Sequence, residues 1–288
     1  MMGNVINLQP KGMTNLEFKE YNRKQRVGQT NMNSDGTLMK ITEYINANKI
    51  TVEFQDELQY KVNASYHDFK IGNIKNPGKR VIHGIGYIGV GPYLTSHKIS
   101  GKKVPTKAYD AWRRMLDRCY GVQYTSQYPT YKDSTVCDEW QNFQIFAKWF
   151  YNNYYDTPNQ SIEVDKDWLC VGNKVYCPEK CCLAPSIINT CLITHKKLKN
   201  FNLPIGVSPT ESGRYKARCN EYGKRKDLGT YNTPQEAESI YWNFKIKYVE
   251  SLAKEYKAFI PTNLYNSMMN FKSTYVQRYN LSQMYEVV

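Results

Sequence analysis

Apolar and polar residues alternate over short runs near the N-terminus, at residues 39–45, 50–54 and 60–62. These runs are rich in β-branched and aromatic residues, and polar turns separate them, which is typical of half-buried strands. We therefore expect a small, barrel-like β-module over residues 36–78. Residues 1–35 combine Asn, Gln, Lys and Gly with isolated apolar residues. Such a composition can bury little surface, so it predicts a flexible arm.

Helical spacing replaces this alternation in the middle of the chain. Apolar residues recur every three or four positions over residues 106–120, which predicts an amphipathic helix. A second helix is expected over residues 140–154. The apolar positions of the two helices are Ala108, Trp112, Met115, Leu116 and Cys119, and then Phe143, Phe146, Ala147 and Phe150. We predict that these side chains form a core.

A glycine-rich segment, residues 79–104, lies between the β-module and the first of these helices. Gly84, Gly86 and Gly89 match the spacing of a dinucleotide-binding loop, but Gly91-Pro92 follows where a helix should begin. An acidic residue about 20 positions further on, in a clear βαβ unit, is also missing. The segment therefore predicts a linker or an extended ribbon.

The C-terminal third contains a strand with strict alternation, residues 214–220. Side chains of a strand point alternately to its two faces. The basic face consists of Arg214, Lys216 and Arg218, and the opposite face of Tyr215, Ala217 and Cys219. After a turn at Glu221-Tyr222-Gly223, we expect Lys224 and Lys226 to extend the basic face. Together with Arg225 these residues are candidate DNA contacts, although alternating charge is also common on a merely solvated sheet face.

A helix should follow this sheet, because Thr233 and Glu236 have the spacing of a capping box and Pro234 suits the first helical position. Its apolar positions are Ala237, Ile240, Tyr241, Phe244 and Tyr248. Residues 201–261 therefore predict a three-stranded antiparallel sheet packed on one helix. The tail, residues 262–288, has loosely spaced apolar residues that suggest an interface helix, docking on its own chain or on a partner subunit.

Composition narrows the class of partner. The 288-residue chain has a formal net charge of +13 and a pI near 9.2, which favours a polyanion, because Lys and Arg that neutralise phosphates release counterions. Apolar runs are too short to span a bilayer, so we expect a soluble protein without a membrane partner. Eight cysteines without a secretory-type N-terminus indicate free thiols in a reducing cytosol.

Three ordered motifs link these regions: W-x-x-M-L-x-R-C-Y from Trp112, Y-P-T-Y-K-D-S-T-V-C-D-E-W-x-N-F from Tyr128, and V-D-K-D-W-L-x-x-G-N-K-V-Y-C-P-E-K-C-C-L-A-P-x-x-I-N from Val164. The set resembles phage and prophage proteins related to HNH homing endonucleases, in which a degenerate ββα unit precedes an Apetala-two/ERF-type domain. The resemblance covers about residues 109–261. It implies an α+β, multidomain protein with an HNH-like region at 105–200, in the cytoplasm of an infected or lysogenic bacterium.

The last part of this resemblance is to the Apetala-two/ERF domain itself. It is carried by a Gly206-Val207 strand start, a second strand after a glycine turn, a Leu-Gly-Thr-Tyr strand end at residues 228–231, and the capped helix. The resemblance implies a DNA-binding sheet. A ribbon of this width can enter a major groove, where Arg reaches guanine edges and Lys reaches phosphates.

HNH chemistry requires a histidine base beside a metal ion. The four histidines are His67, His83, His97 and His195, and none falls within residues 164–189. Asp165, Asp167 and Asn173 are candidate catalytic residues that could hold Mg²⁺ through oxygen atoms. The same residue types also suit a polar turn between strands. We therefore predict a retained scaffold without catalysis, with Mg²⁺ as cofactor only in a nuclease.

The cysteines offer a second candidate metal site, made of Cys170, Cys177, Cys181 and Cys182. Their spacing, C-x6-C-x3-C-C, departs from the paired C-x-x-C of zinc sites. Buried free thiols are the simpler interpretation.

Three functions follow as hypotheses. The first is a phage-encoded protein that binds double-stranded DNA, descended from a homing endonuclease and catalytically inactive. The second is a counter-defence protein that binds and inhibits a host defence nuclease complex; its 25 tyrosines suit a protein interface, and homo-oligomerisation would fit this role. The third is a metal-dependent HNH endonuclease.

Overall fold

The computed structural model describes residues 12–131, 133–192 and 203–276. It confirms the α+β fold class, with a three-stranded antiparallel sheet packed on one helix near the C-terminus. The described chain divides into two units, one made of residues up to 92 with 142–144, and the other of residues 93–141 with 145–276. None of the described helices has the length and apolar character needed to cross a membrane.

The alternating runs of the first unit form an antiparallel sheet in the order β1-β2-β3-β4. Its strands are β1 (Thr30–Met32), β2 (Leu38–Asn46), β3 (Lys49–Phe54) and β4 (Lys61–Ala64). Alternate side chains of β2 and β3, such as Met39, Ile41 and Val52, are fully buried. The predicted barrel is wrong, because β1 and β4 do not pair with each other and the sheet stays open.

Regular structure also occupies part of the predicted N-terminal arm. Helix α1 (Asn15–Arg26) begins at a capping box in which Thr14 and Glu17 each bond the other's backbone N–H. The helix buries none of its residues. Its last turn is nevertheless anchored, since the Arg26 guanidinium lies 4.3 Å from the Tyr66 ring centroid. Tyr66 begins the short helix α2 (Tyr66–Lys70).

The second unit begins with a hairpin, β5 (Ser96–Ile99) and β6 (Lys102–Pro105). The next elements are α3 (Lys107–Tyr120), α4 (Val122–Gln127), a 3₁₀ turn (Pro129–Tyr131), β7 (Thr135–Val136), α5 (Asp138–Gln141) and α6 (Phe143–Asn153). The two predicted helices are confirmed as α3 and α6. Trp112 and Trp140 are fully buried, and the indole N–H of Trp112 donates to the Trp140 carbonyl at 2.7 Å.

The central region contains three short strands and one helix. Its strands are β8 (Ile162–Asp165), β9 (Val175–Tyr176) and β10 (Cys182–Pro185), followed by helix α7 (Ser186–Cys191). β8 and β10 pair antiparallel, with Asp165 opposite Cys182, while β9 pairs parallel to β7. A long connection, residues 166–181, therefore returns from the end of β8 to the start of β10.

The C-terminal module consists of β11 (Val207–Pro209), β12 (Tyr215–Glu221), β13 (Lys224–Tyr231) and α8 (Pro234–Tyr256). At its start Gly206 has φ +76°, and a Cβ there would lie 2.1 Å from Cδ2 of Tyr241. Only glycine leaves room for the Tyr241 ring of α8 at this strand entry. The close approach explains why the Gly-Val pair opens the sheet.

The C-terminal tail packs on its own chain as far as it is described. Helix α9 (Thr262–Met269) and a π-helical turn (Lys272–Val276) follow α8. Leu264, Met268 and Phe271 are buried in a core that also contains Trp168 and Ile188. The same core contains Tyr241 and Trp242 of α8, so the regions predicted at 105–200 and 201–261 share one core. Residues 193–202, where their predicted boundary falls, and residues 277–288 lie outside the described chain.

Candidate nucleic-acid interface

Strand β12 separates its basic side chains from its apolar ones. Ala217 and Cys219 are 0% and 3% exposed and pack toward α8. Lys216 and Arg218 keep 29% and 30% of their side-chain surface exposed, and Arg214 is exposed as well. The predicted alternation is therefore confirmed. We call the solvent-facing side of this sheet, with Arg214, Lys216, Arg218 and Arg225, the basic sheet face.

An aspartate, Asp227, lies within the basic sheet face. The register shifts after Ala217, which pairs with Gly229, while Arg218 pairs with Asp227. Leu228 is the extra residue of this β-bulge, and it turns Asp227 to the same side as Arg218. The Asp227 carboxylate accepts from Arg218 Nε at 2.8 Å and lies 3.4 Å from Lys216 Nζ.

These contacts lower the pKa of Asp227. Desolvation opposes ionisation of Asp227, but the hydrogen bonds from Arg218 and Lys216 outweigh it and hold its pKa below the usual value. Asp227 therefore stays ionised at neutral pH and orients two of the basic side chains. It also lowers the net positive charge of the face, a feature that sequence alternation alone did not reveal.

The turn after β12 overturns part of the prediction. Tyr222 and Gly223 have φ values of +48° and +75°, and this two-residue loop places Glu221 directly opposite Lys224 and Cys219 opposite Lys226. Residues that face each other across a strand pair share one side of the sheet. Lys224 and Lys226 therefore lie on the α8 side and do not extend the basic face.

Lys226 has structural partners on that side. Its ammonium is 2.7 Å from the Glu221 carboxylate and 4.8 Å from the centroid of the Phe244 ring on α8. Arg225, by contrast, pairs with Asn220 and shares the side of Arg218. The missed signal was the two-residue Tyr-Gly turn, which fixes which strand positions face each other.

Helix α8 holds this sheet in a fixed position. The predicted capping box is confirmed, because the Thr233 hydroxyl accepts from the Glu236 N–H and the Glu236 carboxylate accepts from the Thr233 N–H. At the far end, the N–H of Tyr222 donates to the Tyr248 hydroxyl at 2.7 Å, and the Tyr222 hydroxyl donates to Glu255 at 2.7 Å. The turn that joins β12 to β13 is therefore clamped to the helix.

The candidate catalytic residues form a different structure, which we call the Asp-Lys-Asp turn (residues 165–173). Asp165 is 6% exposed, and one of its oxygens accepts from the N–H groups of Asp167 and Trp168 at 2.8 and 2.7 Å. Burial raises the pKa of Asp165 to about 6, although these two hydrogen bonds oppose the shift. Asp165 thus ends β8 by closing a turn.

Lys166 is the cation of this turn. Its ammonium donates to both oxygens of Asp167, at 2.8 and 2.9 Å, and to the Asn173 carbonyl at 2.8 Å. The Asn173 amide donates to the Lys166 and Val175 carbonyls. Every predicted Mg²⁺ ligand therefore has a protein partner that organises the turn. Among the described residues, no three His, Cys, Asp or Glu side chains are grouped to hold a metal ion, and His195 is not described.

The four candidate zinc ligands differ in their burial. Cys177, Cys181 and Cys182 are buried, whereas Cys170 is exposed. All four are free thiols. Desolvation raises the pKa of Cys181 and Cys182 well above that of an exposed thiol. Such thiols stay protonated at neutral pH and behave as small apolar side chains.

Comparison with known proteins gives a similarity over a short part of the chain. The chain is similar to an ethylene-responsive transcription factor of Arabidopsis thaliana, at 44% identity over 55 residues. The similarity covers 18% of this chain and 19% of that protein. It supports the Apetala-two/ERF resemblance of one region and leaves four fifths of each chain unmatched. No family model matches the chain, and no solved structure gives a significant match.

Proposed function

We propose that the C-terminal module binds double-stranded DNA through the basic sheet face. The observation that carries this proposal is the strand β12, whose two cationic side chains, Lys216 and Arg218, face away from α8 while Ala217 and Cys219 are buried; Arg214, just before the strand, is exposed. The similarity to a transcription factor over 55 residues agrees with it. Because the sheet is clamped on a helix, its backbone needs no further ordering to present these groups.

The roles of the basic residues differ by their surroundings. Arg218 has a planar group with several donors, suited to a guanine edge, and Asp227 holds it in place from one side. Lys216 and Arg225 are suited to phosphates. The Arg214 guanidinium donates to the Thr230 carbonyl at 3.0 Å, which fixes it near the edge of the face.

The test measures the affinity of the full chain for a mixed pool of DNA duplexes as a function of salt. The variant Arg214→Ala/Lys216→Ala/Arg218→Ala removes the phosphate contact of Lys216 and up to two further cationic contacts, so the slope of log K against log salt should become shallower by about 1 to 3. Lys40→Ala/Lys49→Ala/Lys70→Ala removes the same charge from exposed positions of the other unit and serves as the control. A flat plot for the wild type would exclude phosphate contacts.

We further propose that the protein is phage-encoded, acts in the host cytoplasm and has no catalytic activity. The support is the sequence resemblance, the absence of a histidine from residues 164–189, and the internal pairing of Asp165, Asp167 and Asn173. Plasmid incubated with Mg²⁺ or Mn²⁺ should stay intact. Nicking by the wild type that Asp167→Ala abolishes would favour the nuclease instead.

The counter-defence role, binding of a host defence nuclease complex, can be distinguished from DNA binding by experiment. Purification from a defence-carrying host, after nuclease treatment of the lysate, should release its partners if DNA tethers them. A defence nuclease complex retained by both the wild type and the triple variant of the basic sheet face would support that role.

A further inference from the structure

A second basic surface lies at the start of the second unit, in the hairpin of β5 and β6. The four paired positions run from Ser96 opposite Pro105 to Ile99 opposite Lys102. Ser100 and Gly101, with φ +48° and +78°, form a two-residue loop whose twist matches that of the strands. We call residues 96–105 the basic hairpin.

The positions of the lysines destabilise the basic hairpin. Lys98 and Lys103 face each other directly across the strand pair, and like charges at such positions repel. Residues 93–109 contain no acidic residue. Across the described chain, no ion pair involves Lys98, Lys102 or Lys103. The repulsion is therefore uncompensated within the described protein, and a bound anion would relieve it.

The hairpin is closed by hydrogen bonds at its base and leads directly into helix α3. At its base, the Thr106 N–H donates to the Thr95 carbonyl at 3.0 Å, and the Thr106 hydroxyl donates to the Leu94 carbonyl at 2.9 Å. Thr106 is also the N-cap of α3, since its hydroxyl accepts from the Tyr109 N–H at 3.2 Å. Helix α3 is a core helix that buries Trp112 completely. The lysines are thus presented from a fixed support.

The hairpin also faces solvent over most of its length. All three lysines are exposed, and Ile99 beside the loop is 53% exposed. An isolated, solvent-exposed two-stranded hairpin has marginal stability in water. Its anchored base and exposed cationic tip therefore favour a recognition element over a part of the core.

We infer that the basic hairpin is a second DNA-binding surface, which contacts the phosphates of a duplex whatever its sequence. The inference rests on the proposed function, because it assigns the same duplex to both surfaces. Duplex DNA carries about one negative charge per 1.7 Å of its axis, a density that can neutralise two lysines on opposite strand positions at once. Phosphate contacts of this kind fix position, while base contacts select sequence.

The test uses the full chain with Lys98→Ala/Lys102→Ala/Lys103→Ala. Lys98 and Lys103 share one face of the hairpin and Lys102 lies on the other, so the slope of log K against log salt should become shallower by about 2, and affinity should fall at least about tenfold at moderate salt for every duplex alike. The ranking of duplexes by affinity should not change. Lys98→Arg/Lys102→Arg/Lys103→Arg keeps the charge and should bind like the wild type. Lys40→Ala/Lys49→Ala/Lys70→Ala is again the control for net charge.

The outcomes separate this inference from the proposed function. If the wild type binds no duplex, the proposed function fails. If the wild type binds but the hairpin alanine variant matches the control in slope and affinity, the hairpin inference alone is overturned. A matched double-stranded RNA forms a third arm: a larger loss there than on DNA would reject duplex DNA as the hairpin's partner. Because the alanine variant removes repulsion, it should unfold at no lower denaturant concentration than the wild type.

Discussion

The basic sheet face and the Asp-Lys-Asp turn are both rich in charged residues. The charged groups of the turn bond to each other, whereas the cations of the sheet face solvent. In the turn, Lys166 keeps only 9% of its side-chain surface exposed and bonds Asp167 and a carbonyl. On the sheet, Arg218 and Lys216 share the single carboxylate of Asp227 and stay open to solvent. The charges of the Asp-Lys-Asp turn are therefore satisfied within the protein, whereas the basic sheet face keeps positive charge that a partner can neutralise.

The difference follows from where each segment lies. The Asp-Lys-Asp turn connects buried strands, and a charge taken out of water must be paired and hydrogen-bonded. The basic sheet face lies opposite the side that packs on α8, so water or an anion can satisfy its cations. Charge density in a sequence therefore indicates binding only when the side chains point outward.

The largest expected effect is on stability and concerns Asp165 in the Asp-Lys-Asp turn. Asp165→Ala and Asp165→Asn both remove the charge, but only alanine removes the acceptor of the Asp167 and Trp168 N–H groups. We expect the alanine variant to have a free energy of unfolding about 2 to 3 kcal/mol below that of the asparagine variant, because one buried and one partly buried donor lose their partner. Denaturant unfolding measures the difference. Equal stabilities would contradict the role of Asp165 in the turn.

The pH dependence of stability gives the next largest effect. Burial raises the pKa of Asp165 from 3.8 to about 6 in the folded state. The folded protein therefore keeps this proton longer than the unfolded chain, and the resulting stability is complete below about pH 4 and lost as pH rises through 6. Relative to Asp165→Asn, the wild type should lose on the order of 2 kcal/mol between pH 4 and pH 7. Parallel curves for the two proteins would reject the raised pKa.

DNA affinity distinguishes the two sides of the sheet. Arg218→Ala should weaken binding to a duplex selected by the wild type from a random library by about 1–3 kcal/mol. Lys226→Ala removes one charge from the α8 side and should change affinity far less, with some loss of stability from its contacts with Glu221 and Phe244. Titration of labelled duplex measures both. Equal losses would mean that the sheet face has no special role.

The smallest expected effect concerns the acid on the basic sheet face. Asp227→Asn removes a negative charge that faces the incoming phosphates, so affinity should rise by roughly twofold to fivefold. The gain should shrink at high salt, because exposed charges are screened. A loss of affinity would show that orienting Arg218 matters more than lowering the repulsion.

Sequence patterns that depend only on neighbouring residues predicted much of the fold. The helical spacing that marked α3 and α6, and the Thr233/Glu236 box that begins α8, depend on neighbours within one or two turns, and the structure confirms them. The open N-terminal sheet depends on whether its outer strands pair, which the runs of β-branched residues do not specify. Helix α1 was missed because its composition is polar, although Thr14 and Glu17 had the spacing of a capping box.

The candidate site was predicted in part. Alternation placed Lys216 and Arg218 correctly on the side away from α8, because side chains alternate along β12. The position of Lys226 needed the length of the turn, and that of Asp227 needed the bulge at Leu228. Lys166 pairs with its neighbour Asp167 and with Asn173, seven positions on, through a loop whose path the residue types alone do not specify.

The close approach of Gly206 to Tyr241 has a consequence for mutational tolerance. Every larger residue at position 206 must displace an aromatic ring that is 3% exposed, so a saturation library should retain glycine there under selection for folding alone. Positions on the basic sheet face should vary freely under that selection and become restricted only when binding is selected. The two screens together would divide the module residue by residue into positions that serve its architecture and positions that serve its partner.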